Sequence, residues 1–141
     1  MSRTWADLAG AMLVEGKLLR LKGDNGKPND NMLMHILSPY PFHRSALTDC
    51  AKLAGSGFAE PKAVVIVGYA YPDLPLAPAI DAFETLAHHA VDLGDRHEAM
   101  FSGLCHRVHN RGAVMAWEMR SSTSNAISSP PKRTARFAVS R

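Results

Sequence analysis

Glu15 and Lys17 stand two residues apart inside an apolar run, with Ala11-Met-Leu-Val14 before them and Leu18-Leu19 after. On a strand, residues two apart point to the same face, so the carboxylate and the ammonium share a side. Charges set in such a run are costly unless each has a partner or a task. A carboxylate that binds a divalent cation, beside a lysine that orients or activates water, suits phosphodiester cleavage. The plain alternative is a salt bridge on an edge strand, which contributes little to stability.

Other residues compete for attention. Cys105, His106 and His109 offer three zinc-type ligands within five residues, without a CxxC partner. They point either to a small zinc-stabilised interaction domain or to a strand-end cluster with no metal. Asp24-Asn-Gly and Asn29-Asp-Asn31 are rich in oxygen ligands but lack the twelve-position calcium pattern and its terminal Glu, so a polar turn is expected. Gly23-x-x-Gly26-Lys27 is too short for a P-loop and has Pro28 where Ser or Thr is needed. His35 is expected as a core histidine, His88-His89 as solvated helix surface, and Asp81 and Glu84 as a solvated helix face. Cys50 is expected to be an inert buried thiol. Trp117 reads as a core anchor, and the methionines, Met34 and Met100 among them, as core filling.

The elements that must position these groups follow from periodicity and breakers. Residues 11–22 read as a strand with a basic end, Arg20 and Lys22. Gly23 to Asn31 is a loop. Met32–Leu37 is a short apolar segment ended by Ser38-Pro-Tyr-Pro41. His43 to Gly55 reads as a helix whose stripe is Ala46, Leu47, Cys50, Leu53 and Ala54, with Arg44, Asp49 and Lys52 largely off it. Lys62–Tyr71 is the clearest strand, continuously apolar and so expected to be buried on both faces. Ala79–Val91 is a second helix, with Ile80, Phe83, Leu86, Ala87 and Ala90 on one face. Met100–Met119 reads as two short strands around a turn at Asn110-Arg-Gly112. The order gives a small α/β domain with a mixed sheet flanked by helices.

The chain has 141 residues, 46% of them hydrophobic, enough for one domain with a core. The domain is expected over 1–120, with 121–141 a disordered, basic Ser/Pro-rich tail. The overall net charge is +3, but four of the 16 basic residues and none of the 13 acidic ones lie in the last 21 positions. Residues 1–120 therefore carry a net charge of −1, and a polyanion site there must be a local cluster. No apolar run is long enough for a membrane span and the start lacks a signal core. Two cysteines make no disulfide framework. A cytoplasmic protein without a membrane partner is the expectation.

Val14-Glu15-Gly16-Lys17, the helix after it and the strand Lys62–Tyr71 together resemble the core of the PD-(D/E)xK, or restriction-endonuclease-like, nuclease superfamily. Gly23–Asn31, Ser38-Pro-Tyr-Pro41 and Arg44-Ser-Ala-Leu-Thr-Asp-Cys50 suggest an uncharacterised bacterial family with that core. The resemblance covers roughly residues 5–71. It implies Mg²⁺ (or Mn²⁺) held by Asp7 and Glu15, with Lys17 positioning the water or stabilising the transition state. Lys22, Lys27, Arg44 and Lys52 would bind a nucleic-acid substrate, and Asp49 would be auxiliary. The superfamily's leading helix has no counterpart here, so an N-terminal truncation is expected. Asp7 shares the face of Glu15 if a three-residue loop at Ala9–Ala11 joins the strands, and opposes it with a two-residue turn at Ala9-Gly10. A homodimer would fit such a nuclease. The rival reading is a catalytically inactive binding or regulatory domain of the same fold.

Overall fold

The computed structural model describes residues 12–120 and 137–140. Asp7 and the other residues before Met12 lie outside them, as do residues 121–136 of the expected tail. The described chain forms a five-stranded mixed sheet with helices on one face. The strands are β1 (Met12–Leu19), β2 (Lys62–Tyr69), β3 (Leu93–Phe101), β4 (Gly112–Met119) and β5 (Phe137–Ser140). The helices are a single turn α1 (Met34–Leu37), α2 (Ala46–Ala54) and α3 (Ala77–Ala90).

Sheet order is β3-β4-β2-β1-β5. β1 runs parallel to β2 and to β5, while β4 is antiparallel to both β2 and β3. A parallel pair needs a long crossover, and the segment holding α2 supplies it between β1 and β2. The β-branched run Val64-Val-Ile-Val67 suits β2 to the middle of the sheet.

α2 starts where Ser45 accepts a hydrogen bond from Thr48 N at 3.1 Å, a Ser cap, and stops at Gly55. α3 carries Pro78 in its first turn, where a missing N–H costs no helical hydrogen bond. Both helices cover the face that presents Val64, Ile66, Met115 and Trp117, all at most 1% exposed. Phe83 of α3 meets Trp117 with ring centroids 4.9 Å apart. Gly112 lies where a Cβ would stand 2.0 Å from the Gly68 carbonyl oxygen, so β2 and β4 approach there too closely for a side chain.

Several expectations change. β1 is flanked on both sides, so Glu15 does not sit on an edge strand. β2 is buried on its helix-facing side, whereas Val65 and Val67 on the other side are half-buried. The last two antiparallel strands are β3 and β4, joined by residues 102–111 rather than by a tight turn at Asn110–Gly112. Phe137–Ser140, inside the segment expected to be disordered, extends the sheet beside β1. His35 is exposed, as are Met34 and Met100, which are therefore not core filling. Leu86 and Ala90 are exposed rather than on the buried face of α3. Among the described residues, no helix is long and apolar enough to cross a membrane.

Candidate active site

Glu15, Lys17 and Leu19 alternate onto the helix-covered face of β1, as period two requires. Glu15 is 2% exposed and lies opposite Val64 of β2, while Lys17 lies opposite Ile66. α2 crosses this part of the sheet and lowers two side chains, one turn apart, onto the pair. Asp49 brings Oδ2 to 3.1 Å from Lys17 Nζ, and Lys52 brings Nζ to 3.5 Å from Glu15 Oε1. Two carboxylates and two ammonium groups thus alternate between strand and helix.

The four charges are unevenly satisfied. Asp49 is buried, and its Oδ2, though near the Lys17 ammonium, receives no aligned hydrogen bond among the described residues. Burial pushes its carboxyl above the ordinary value; the adjacent Lys17 ammonium pulls it back in part, and the nearby Glu15 charge adds to the rise. Lys52 contacts Glu15 at the long end of the hydrogen-bond range and is two-thirds exposed. Its ammonium is free to turn toward a ligand. The carboxylate oxygens of Glu15 and Asp49 are hard donors, the type that Mg²⁺ and Mn²⁺ take.

The expected substrate-binding residues separate. Lys52 joins Glu15. Arg44 is exposed in the left-handed turn before the α2 cap, at φ 50°. Lys22 lies past the other end of β1, paired with Asp73 at 2.6 Å, in a loop that folds back through a Lys22–Pro28 bridge and leaves Lys27 exposed. Asp49 was legible as an auxiliary acid on the helix, but not as a buried one. Cys50, beside it, is fully buried, and burial pushes its thiol up to about 12, which makes it inert.

A second cluster forms where the 23–29 loop meets the 102–111 loop. One atom each from Asp24, His106 and His109 converges within 4.8 Å, so Asp24 and not the exposed Cys105 completes the histidine pair. His109 Nε2 lies 2.9 Å from Asp24 Oδ1, and its Nδ1 lies 2.7 Å from Tyr71 Oη. Since the carboxylate can only accept, Nε2–H donates to it, and the neutral ring accepts from the tyrosine at Nδ1. This hydrogen bond holds the Asp24 carboxyl below its ordinary value, helped by the charge of Arg20 and opposed by desolvation. His106 Nδ1 accepts from the Val108 and His109 main-chain N–H groups, both at 3.0 Å. That fixes the proton of its neutral ring on Nε2, the nitrogen facing Asp24. A cation could use that nitrogen only if His106 gave up both backbone donors. In this arrangement the cluster works as a hydrogen-bonded clasp between two loops.

Glu84 corrects the expectation of a solvated face. Its Oε1 accepts from Arg96 Nε at 2.6 Å and from Trp117 Nε1 at 2.8 Å, tying α3 to β3 and β4. Asp81 adds a 2.8 Å contact to the same arginine.

Comparison with protein-family models, curated proteins and solved structures finds no match to this chain.

Proposed function

We propose that this domain hydrolyses phosphodiester bonds of nucleic acid with a divalent cation, at a site built from Glu15, Lys17, Asp49 and Lys52. The carrying observation is the pair of buried carboxylates, Glu15 and Asp49, each with a lysine beside it, Asp49 keeping one oxygen without a hydrogen bond among the described residues. The order β1–α2–β2, with the Glu-x-Lys residues on the helix-covered face, supports a restriction-endonuclease-like core. Glu15 and Asp49 would hold Mg²⁺ or Mn²⁺, with Asp7 a further donor in the resemblance. Bound there, the cation would lower the pKa of a water and offset charge on the phosphate.

The protein's own groups do the rest. Lys17, largely buried and close to Asp49, is held where it can orient a water by donating to it. Lys52, on the exposed side, is placed to meet a phosphate oxygen as a mobile point charge. Helix α2 fixes the spacing between the Lys52 ammonium and the carboxylate beside Lys17, because Asp49 and Lys52 lie on adjacent positions of one helical face.

The test is calorimetric titration of Mg²⁺ and Mn²⁺ into wild type and Glu15→Gln, with DNA and RNA cleavage measured on the same samples. Cation binding and cleavage are expected in wild type and should be lost together in the variant. Wild type that neither binds nor cuts would make the four charges structural and favour the non-catalytic reading.

A further inference from the structure

A second binding site follows from how the sheet ends. β1 and β2 are parallel, and past their carboxyl ends the chain continues into Lys22 and into Ala70–Pro72. β4 is antiparallel to β2, so residues 107–111, just before it, reach the same edge. A cleft of about 380 Å³ opens there, lined by Lys22, Gly26, Tyr71, Arg107, Asn110 and Arg111 among others. Ligands of open α/β sheets collect at the carboxyl ends of parallel strands.

The lining carries three cations and no carboxylate, on a body whose residues 1–120 have a net charge of −1. Lys22 is paired with Asp73 outside the lining and lies 5.4 Å over the Tyr71 ring. Arg107 donates to the Asp24 carbonyl at 3.3 Å, and neither Arg107 nor Arg111 has a carboxylate partner among the described residues. The backbone that carries the two arginines is anchored. The clasp of Asp24, His109 and Tyr71 ties the 23–29 loop below them, and the Ala70 N–H donates to the Arg111 carbonyl at 2.9 Å. Two guanidinium forks without a carboxylate partner among the described residues, carried on an anchored backbone beside a lysine, suit phosphate oxygens.

We propose that this cleft binds the phosphate backbone of a nucleic acid. The identity of the polyanion rests on the reading of the Glu15 site, while the cleft stands on its own charges. Lys22 follows Glu15 by seven residues, a span of at most roughly 23 Å for an extended chain. That is no more than about seven phosphate spacings on one strand of B-form DNA. The cleft would therefore anchor a substrate away from the bond being cut.

The experiment is anisotropy of a labelled DNA duplex in EDTA, across a series of salt concentrations. It compares wild type, Arg107→Ala/Arg111→Ala and Arg120→Ala, an exposed arginine at the far end of β4. Thermal melts confirm that all three fold. The double variant is expected to bind about tenfold or more weaker, with a log–log salt slope shallower by about 1.8, two phosphate contacts at 0.9 each. Arg120→Ala should bind as wild type. Wild type that does not bind, or a double variant equal to Arg120→Ala, overturns the proposal. Arginine-dependent binding by a protein that never cuts with Mg²⁺ supports the cleft and removes the nuclease reading. Cutting with arginine-independent binding does the reverse.

Discussion

Glu84 and Asp49 each reach from a helix onto the same face of the sheet, and each meets a cation there, yet their surroundings differ. Glu84 takes two hydrogen bonds on one oxygen, from Arg96 and Trp117, at 2.6 and 2.8 Å. The Arg96 bond, with Trp117 adding to it, holds its carboxyl below the ordinary value against the opposing effect of burial. Asp49 is more deeply buried and its lysine contact is not an aligned hydrogen bond, so burial wins and its carboxyl is held above the ordinary value. A carboxylate placed to fasten elements together is saturated by its donors. One left short of donors beside a second buried carboxylate retains the capacity to take a ligand.

The comparison breaks if the two acids exchange roles on substitution. Asp49→Asn should lower cation-dependent cleavage by at least about 100-fold. Its urea melt should stay within about 1 kcal/mol of wild type, because burial already disfavours the Asp49 charge and the amide oxygen can still accept from Lys17. Glu84→Ala should do the opposite. It leaves a guanidinium and an indole N–H without their acceptor and should cost about 2–3 kcal/mol in the same melt, with cleavage per folded molecule unchanged. Equal stability losses at both sites would make Asp49 another fastener.

Lys52→Ala sharpens the contrast with a smaller effect. Its ammonium is exposed and makes one long contact, so stability should move by no more than about 0.5 kcal/mol. Cleavage should fall about tenfold, read at saturating cation so that lost binding is not mistaken for lost chemistry.

The smallest effect is in pH, and its sign differs between the two acids. The lowered Glu84 carboxyl contributes stability that is present above its ordinary 4.5 and is lost as pH falls through its folded value. The raised Asp49 carboxyl favours the protonated fold, so its contribution is present at low pH and is lost as pH rises from its ordinary 3.8 through its folded value. Stability curves from pH 3 to pH 7 for wild type, Glu84→Gln and Asp49→Asn should therefore separate with opposite slopes. Parallel curves would sink the assignment of the two environments.

Much of this face was legible in the sequence where the pattern is local. The two-residue spacing of Glu15 and Lys17 put both on one side of a strand, and the stripe from Ala46 to Ala54 gave the helix that covers them. Asp49 was placed off that stripe because apolar periodicity treats an acid as solvent-facing. Only the lysine on the neighbouring strand draws it inward. β3 was missed because Leu93-Gly-Asp-Arg-His-Glu-Ala-Met-Phe101 is an outer strand with mostly exposed side chains, so it shows no apolar alternation. The same absence hid the partners of Glu84, since Arg96 belongs to that strand. The clasp joins Asp24 to His109 through loops far apart in sequence, and no spacing rule reports such a contact.

The pairing of β5 with β1 has a kinetic consequence. Met12, at the start of the first described strand, is matched with Phe137, in the last. During synthesis β1 can pair with β2 soon after that strand emerges, but its other edge must wait until Phe137–Ser140 has been made. Closing so long a loop costs entropy before the four-residue strand returns any hydrogen bonds. The strand that bears Glu15 and Lys17 should thus be the last to be sealed, and the interval before sealing is when a nascent chain would offer that edge to another copy of itself.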